Sequence, residues 1–186
     1  MNQKHLTPEQ PIKTEHIYDG RIIGVRVETV ELPDMKYAKR EIVDHANGVG
    51  IIALTDRGTM FMVRQYRIAV REYLLEIPAG LIEHGENPQD AAVRELQEEI
   101  GYRPGKLEYI LDAYASPGFT NEKISLFLAA DLVASKLDLD ETEFLEAEEY
   151  PIEELYNMVL NFEITDAKSI IGILYAYFNI YRKQQA

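Results

Sequence analysis

The chain has 186 residues, a length typical of one domain or of one domain with a small appendage. Its 19 Lys and Arg against 32 Asp and Glu give a net charge of −13, which argues against nucleic acid or an anionic membrane as main partner. The absence of Cys excludes disulfide frameworks, thiol catalysis and Cys-ligated zinc. Since no secretory signal and no apolar stretch of about 18 residues is visible, we expect a soluble, cytoplasmic protein.

Residues 1–46 are predicted to form a small antiparallel β domain. Alternating hydrophobicity over residues 23–32 indicates one half-buried strand, Pro33-Asp34 a turn, and residues 37–43 a second strand. A ribbon of two or three strands buries little apolar surface alone. We therefore expect this domain to pack on the main domain or on another subunit.

The pattern after residue 47 indicates an α+β domain, a mixed sheet with helices against it. The predicted strands cover residues 48–55, 60–64, 73–77, 107–114 and 124–130, with a hairpin turn at residues 56–58. The predicted helices cover residues 88–100, 151–160 and 166–181. The last helix has apolar residues at steps of three and four, which predict a core or helix-docking face: Ile170, Leu174, Tyr177, Phe178 and Tyr181.

The segment over residues 80–102 is the most informative part of the chain for chemistry. Its helix is well specified, because Asn87 suits the N-cap and Gly101 suits the left-handed position after the last turn. Within it, Glu95, Glu98 and Glu99 at i, i+3 and i+4 fall on one face, inside an arc of about 100°.

Three carboxylates on one face repel one another unless a positive charge lies among them. Arg94 is the only basic residue of this helix, so a hard divalent cation is the better answer. The alternative is a solvated acidic face, the commoner fate of a Glu-rich helix. The preceding loop favours the cation, because Gly80 and Gly85 allow close backbone approach and Glu86 adds a further carboxylate.

This segment resembles the Nudix box, G-x5-E-x7-R-E-U-x-E-E-x-G-U with U a bulky aliphatic residue. The fixed positions are matched by Gly80, Glu86, Arg94, Glu95, Leu96, Glu98, Glu99 and Gly101. Tyr102 departs from the aliphatic final position, which we interpret as a packing variation. The resemblance implies a Nudix fold, with a mixed β-sheet between α-helices, and metal-dependent hydrolysis of a nucleoside diphosphate linked to another moiety.

The resemblance extends to the ADP-ribose pyrophosphatase branch of this family. It rests on Val-Arg-Gln-Tyr-Arg at residues 63–67, Leu-Glu-Ile-Pro-Ala-Gly at 75–80 and Ser-Pro-Gly-Phe-Thr at 116–120. Pro117, sixteen positions after Gly101, also fits the branch. It implies a homodimer that exchanges the N-terminal domain (1–46), a Nudix domain (47–186), and a catalytic acidic loop at residues 140–143.

The resemblance also implies roles for the box residues. Glu95 and Glu99 would bridge metal ions, with Glu98 beside them as a catalytic residue that either binds metal or supports the ligands, and the Ala79 carbonyl as a further ligand. The metal would be Mg²⁺, with Mn²⁺ as a substitute. The structural positions of the motif are Gly80, Glu86, Arg94 and Gly101; Arg94 would hold the carboxylates in place, and Glu86 would either support the site or only contact Arg94.

Matching the acidic loop to the branch selects Glu141 as the base that activates water and Glu143 as an additional metal ligand. The alignment of this loop with the branch can shift by one or two residues, because loop lengths vary. Glu143 is therefore the second candidate base. The alternative is a solvated charge run. That run comprises Asp138, Asp140, Glu141, Glu143, Glu146, Glu148 and Glu149.

Substrate contacts follow from the same resemblance. Arg67 would meet a phosphate, and Arg40 would cross the dimer to stack on adenine, as a planar guanidinium can. Glu76 and Glu122 would bind adenine and the terminal ribose, and Gly118 lies in the Ser-Pro-Gly loop. Each charged residue is otherwise an ordinary surface residue.

The leading hypothesis is Mg²⁺-dependent hydrolysis of ADP-ribose to AMP and ribose 5-phosphate. The same fold could instead cleave another nucleotide sugar such as GDP-mannose. A third hypothesis is a Nudix module that binds ADP-ribose without cleaving it, against which the three box glutamates argue. An acidic calcium-binding protein is the remote option, because no loop has EF-hand spacing.

Overall fold

A computed structural model describes residues 7–138, 144–181 and 183. The chain divides into two compact units, the first comprising Met1–Ala46 with Tyr114–Glu122 and the second Asn47–Ala113 with Lys123–Ala186. The sequence did not indicate that residues 114–122 join the first unit. No helix in the described part of the chain is both long and apolar enough to cross a membrane.

The first unit contains a three-stranded antiparallel sheet in the order β1-β2-β3. Its strands are β1 (Gln10–Asp19), β2 (Ile23–Glu31) and β3 (Tyr37–His45). The last two correspond to the predicted hairpin. Strand β1 was missed because its sequence does not alternate cleanly, and its pairing with β2 is irregular beside Pro11.

The second unit is built on a mixed sheet of seven strands. The strands of this unit are β4 (Gly48–Leu54), β5 (Thr59–Arg67), β6 (Glu72–Glu76), β7 (Ala79–Leu81), β8 (Tyr102–Arg103), β9 (Lys106–Tyr114), β10 (Lys123–Ala130), β11 (Val133–Ala134) and β12 (Leu145–Pro151). The sheet order is β12-β5-β4-β10-β9, with β6 on β5 and β7 on β4, while β8 and β11 pair separately. Strand β4 is buried throughout and runs parallel to β10.

Strand β12 is acidic. Its charge pattern alone indicated a solvated charge run, whereas the family resemblance implied a strand after the acidic loop. Two of its glutamates pair with arginines instead. Glu148 lies 2.6 Å from Arg64, and Glu149 lies 2.7 Å from Arg57. The interpretation of these two as simply solvated is wrong, because β12 pairs with β5, which brings Glu148 to Arg64 of β5 and Glu149 to Arg57 of the preceding turn.

Helices cover both faces of the sheet and confirm the predicted α+β architecture. Helix α1 (Pro88–Glu99) packs on one apolar cluster with alternate residues of β4, whereas α2 (Ile152–Leu160) and α3 (Ala167–Ala176) pack on the other. A single strand contributes to both clusters because its side chains alternate between faces. A π-helical turn, Tyr177–Tyr181, continues α3.

The most buried face of α3 lies beside the predicted stripe, of which Ile170, Tyr177 and Tyr181 are partly buried against the core cluster. The buried residues are Ser169, Gly172, Ile173 and Ala176. The predicted stripe lies to one side, where Tyr177 stacks on Tyr156 of α2 with ring centroids 3.7 Å apart, while Phe178 is 45% exposed. The stripe is therefore in part a helix-docking face, because small residues take the positions closest to the sheet.

Candidate active site

Helix α1 begins and ends where the sequence predicts. The side chain of Asn87 accepts hydrogen bonds from the backbone N–H groups of Gln89 and Asp90, both at 3.0 Å, and Pro88 occupies the first turn. Gly101 follows the helix at φ +77°, a left-handed conformation that favours glycine. These ends fix which residues of the helix share a face.

Three glutamates of α1 lie on the side of the helix that meets β7. Glu95 and Glu99 are buried, at 6% and 8% exposure, and the side chain of Glu98 is 23% exposed. The backbone N–H of Ala79 donates to the carboxylate of Glu99 at 2.9 Å. A Cβ atom at Gly80 would collide with the Glu95 carboxylate, so glycine is required for this close approach.

Arg94 links two of these carboxylates, those of Glu95 and Glu98, to the carboxylate of Glu86. Its Nε and Nη2 donate to the two oxygens of Glu86, each at 3.0 Å, and its Nη1 donates to Glu95 at 2.8 Å and to Glu98 at 2.9 Å. Hydrogen bonds from Arg94 lower the pKa of Glu86, and those same bonds raise the pKa of Arg94. Both groups therefore stay charged at neutral pH. The contact expected between Arg94 and the carboxylates is present.

We call Glu86, Arg94, Glu95, Glu98 and Glu99 the box cluster. One guanidinium and four carboxylates give it a formal charge of 1 − 4 = −3. We expected a cation rather than an arginine to relieve the crowding, yet Arg94 supplies part of that relief. Hard oxygen donors with excess negative charge fit a divalent cation such as Mg²⁺. Among residues 7–138, 144–181 and 183, however, no three acidic, His or Cys side chains are gathered as a metal-holding group.

A second charged group joins β5, β6 and the start of α3, and we call Arg67, Glu76, Asp166 and Lys168 the Glu76 network. Arg67 donates from Nε and Nη2 to the two oxygens of Glu76, at 2.8 and 2.9 Å. Lys168 also donates to Glu76, and it lies 3.1 Å from Asp166. Glu76 is only 1% exposed, so the alternative that it is an ordinary surface residue is wrong.

The Glu76 network keeps its buried carboxylate ionised. Burial by itself would raise the pKa of Glu76, but the hydrogen bonds from Arg67 and the charge of Lys168 outweigh burial and lower this pKa to about 2. The hydrogen bonds to Glu76 raise the pKa of Arg67, and the negative charge of Glu99 adds to that effect. Arg67 is thus within electrostatic range of the box cluster.

Three substrate-binding candidates belong to the first unit. Arg40 donates from Nε and Nη2 to the carboxylate of Glu9, at 3.0 and 2.5 Å, and both side chains are partly exposed. Glu122 lies 3.6 Å from the Nδ1 atom of His45. Gly118 lies in an exposed turn, where an added Cβ atom would meet no atom within 4 Å. Their role toward substrate stays a prediction.

The two acidic-loop residues, Glu141 and Glu143, lie outside the described residues. The chain before them is anchored on α1, because the backbone N–H of Leu137 donates to the carbonyl of Gln97 at 3.1 Å. The chain after them enters β12 at Leu145, beside β5. The described residues on both sides of the loop are therefore attached to elements that carry box-cluster or Glu76-network residues.

Sequence reasoning missed Lys168 and Asp166. Asp166 caps α3 by accepting a hydrogen bond from the backbone N–H of Ser169 at 3.0 Å, and Lys168 follows in the first turn. The available signal was Glu76, a charged residue between Leu75 and Ile77 in an apolar strand. Because a buried carboxylate requires a cation, the position of Glu76 indicates that a basic residue lies beside it.

A solvent-open groove of about 690 Å³ lies beside α2, and its described lining includes no member of the box cluster or of the Glu76 network. The described residues of its lining include the carboxylates of Glu153, Glu154 and Glu163 and no basic side chain. Such a lining repels a pyrophosphate. The groove is therefore a poorer candidate for the substrate than the surroundings of α1.

Comparisons with known proteins agree with the geometry. Residues 44–171 match the NUDIX domain family. The chain is 44% identical over 169 residues to the ADP-ribose pyrophosphatase of Bacillus subtilis (strain 168), covering 90% of this chain and 91% of the relative. It is 40% identical over 172 residues to the methanol dehydrogenase activator of Bacillus methanolicus, with coverage of 91% and 93%. A crystal structure of an ADP compounds hydrolase shares the fold, with a TM-score of 0.88 at 21% identity, covering 99% of this chain and all of the other.

Proposed function

Because the chain belongs to the Nudix family and is a Nudix hydrolase, we propose that it cleaves the pyrophosphate of ADP-ribose into AMP and ribose 5-phosphate. One observation carries the proposal. The chain matches an ADP-ribose pyrophosphatase at 44% identity over nearly the full length of both proteins. The structure supports a catalytic protein rather than a binding module, because the glutamates of the box are all present and meet at one face of α1.

We propose that the box cluster holds Mg²⁺, for which Mn²⁺ would substitute. Glu95, Glu98 and Glu99 would supply carboxylate oxygens, and Ala79 would supply its backbone carbonyl. When bound, such a metal neutralises charge that grows on the phosphate oxygens and lowers the pKa of a coordinated water. The chemistry of the donor set supports this assignment, since four carboxylates beside one guanidinium supply the hard oxygen donors that Mg²⁺ prefers.

The protein's own residues would then orient the reactants. Arg94 fixes the carboxylates through four hydrogen bonds to Glu86, Glu95 and Glu98. Arg67 would bind a phosphate of the substrate. Its guanidinium uses Nε and Nη2 for Glu76 while its side chain is 42% exposed, so part of its donor capacity faces solvent.

Glu141 is the proposed base, with Glu143 as additional metal ligand and second candidate base. This assignment rests on the family resemblance. It is supported by the described chain on either side, which is attached to α1 at Gln97 and to β5 through β12. A base must reach the attacking water directly or through one further water.

We also propose that the protein is a homodimer in which residues 1–46 are exchanged and Arg40 contacts the adenine bound by the partner. Exposed apolar side chains of the first unit support this, since Ile12, Ile17 and Tyr37 are each more than half exposed. Light scattering should give twice the chain mass of 21.3 kDa. A mass equal to one chain at micromolar concentration would refute the dimer.

The decisive experiment is a panel of nucleotide sugars with Mg²⁺, scored by kcat/KM and by identification of the products. ADP-ribose should give the highest value, with AMP and ribose 5-phosphate as products. The Glu99→Gln variant, prepared identically, controls for contaminating hydrolases. A higher kcat/KM for GDP-mannose would assign the alternative substrate, and tight ADP-ribose binding without turnover would indicate a non-catalytic module.

A second candidate function comes from the relative named as a methanol dehydrogenase activator, which is nearly as similar to this chain as the pyrophosphatase. In that case the protein would increase the rate of a methanol dehydrogenase. The test is a dehydrogenase assay with and without the protein. Stimulation that disappears with Glu99→Gln would make activation a consequence of hydrolysis, whereas stimulation that persists would require binding alone.

A further inference from the structure

Two cations share the buried carboxylate of the Glu76 network, and one of them, Lys168, also pairs with Asp166. Glu76 accepts on Oε1 from Arg67 and on Oε2 from both Arg67 and Lys168. The side chains of Glu76 and Lys168 are 2% and 12% exposed, while that of Arg67 is 42% exposed. The carboxylate is therefore shared between an enclosed lysine and an arginine that reaches the surface.

The position of Lys168 is fixed by the start of α3. Asp166 accepts from the backbone N–H of Ser169 at 3.0 Å and lies 3.1 Å from the Lys168 Nζ. The Ser169 hydroxyl in turn accepts from the backbone N–H of Ile77 at 2.8 Å, next to Glu76. These bonds tie the lysine-bearing turn to β6, so Lys168 is held beside the carboxylate rather than placed there by a flexible side chain alone.

The orientation of Arg67 depends on the same carboxylate. A bidentate bond fixes the plane of the guanidinium, and no described residue accepts a hydrogen bond from its Nη1. Three residues after Glu76, the backbone of Ala79 donates to Glu99 of the box cluster. The carboxylate that orients Arg67 thus belongs to the segment that contacts the box cluster.

We propose that Lys168 is a positioning residue for substrate binding: by sharing the charge of Glu76, it weakens the hold of that carboxylate on Arg67 and leaves the exposed part of the guanidinium available to a phosphate of the substrate. Without Lys168, Arg67 would be the sole counter-charge of a buried carboxylate. Its attraction for an outside anion would then fall, although its orientation would persist. This inference rests on the proposed function, because it concerns how the pyrophosphate is bound.

The test compares steady-state kinetics of the wild type with Lys168→Met, Arg67→Met and the double variant, using ADP-ribose and Mg²⁺. Lys168→Met should raise KM about tenfold, the value of one weakened charge-assisted hydrogen bond, with kcat changed less than threefold. The double variant should have no higher KM than Arg67→Met alone, because Lys168 acts through Arg67. Additive effects on KM, or an unchanged KM in Lys168→Met, would overturn the proposal.

Two controls separate charge sharing from other effects. Lys106→Met removes the same charge from the same unit, at an exposed pair with Asp131, and should leave KM unchanged. Lys168→Arg keeps the charge and should retain wild-type KM. Lys168→Gln keeps a hydrogen-bond donor without the charge and should behave like Lys168→Met. It also replaces the Met variant if that variant does not fold. A wild-type KM in Lys168→Gln would refute charge sharing.

Equilibrium binding gives a readout that does not depend on turnover. Calorimetry should show weaker binding of AMP to Lys168→Met than to the wild type, and equal binding of adenosine, which has no phosphate. Equal loss for both ligands would indicate a structural defect and contradict the proposal. An inactive wild type would refute the proposed function itself, whereas an active wild type with unaltered AMP binding in Lys168→Met would refute only this inference.

Discussion

The box cluster and the Glu76 network both pair carboxylates with a guanidinium, but they differ in the ratio of carboxylates to cations. The box cluster sets four carboxylates against one guanidinium, whereas the Glu76 network sets Glu76 and Asp166 against Arg67 and Lys168. Among its own members the first has an excess of carboxylates, and it lies on the face of α1 that meets β7. The second is neutral, and its central carboxylate is 1% exposed.

The difference in charge between the two clusters corresponds to two roles of charged groups, one in stability and one in function. A buried carboxylate with balanced partners holds neighbouring elements in place, and loss of one partner is costly. A cluster with excess negative charge is poised for a cation and contributes less to the folded state without one. The following predictions test this division, beginning with the largest expected effect.

Replacement of Glu99 by Gln should reduce kcat by about three orders of magnitude or more, because metal stabilisation of the transition state is worth several kcal/mol. The fold should persist, since the carbonyl oxygen of Gln can still accept the hydrogen bond from Ala79. Steady-state assays at saturating Mg²⁺ measure the effect, with exposed Glu108→Gln as control. Activity within tenfold of the wild type would remove the metal site from the box cluster.

Replacement of Glu141 by Gln should lower kcat by about 10²- to 10⁴-fold with little change in KM, the signature of a lost general base. Gln keeps the size but cannot accept the proton of the water. Glu143→Gln should instead weaken the dependence of the rate on Mg²⁺. If Glu141→Gln is nearly wild type and Glu143→Gln is inactive with normal metal binding, Glu143 is the base.

The sequence predicted the box cluster well because its determinants are local. Helix periodicity places Glu95, Glu98 and Glu99 on one face, and an N-cap at Asn87 with a left-handed Gly101 sets the register. The same local rules located β4 and β10, whose apolar residues are continuous. Family resemblance then supplied roles that spacing alone does not contain.

The Glu76 network was not predicted, because its members come from three elements far apart in sequence. Lys168 meets Glu76 across 92 residues, and nothing in the local pattern of α3 marks it. Strand β12 was similarly obscured, since its glutamates find arginines only after the strand pairs with β5. Long-range ion pairs of this kind are properties of the assembled sheet.

Replacement of Glu76 by Gln should destabilise the protein by about 3 kcal/mol at neutral pH, since its pKa falls from 4.5 to about 2 on folding. The folded-state pKa is the lower one, so this stabilisation is complete above about pH 4.5 and is lost as the pH falls through about 2. Urea unfolding of wild type and variant across this range measures the difference. A difference that does not shrink below pH 4.5 would contradict the cause.

The smallest effect should come from Mg²⁺ itself, and it compares the two clusters directly. Binding only to the folded state stabilises by about 2.7 kcal/mol at a hundredfold excess over Kd, which raises Tm by several degrees, roughly 2–4 °C per kcal/mol for a chain of this size. The shift should vanish in Glu99→Gln. It should persist in Glu76→Gln despite a lower starting Tm, because that variant disturbs the balanced network and leaves the box cluster intact.

Calorimetric melting of the three proteins with and without Mg²⁺ measures these shifts. A shift lost in both variants would mean that the two clusters form one cooperative unit. The absence of a shift in the wild type would mean that Arg94 already suffices to hold the carboxylates together.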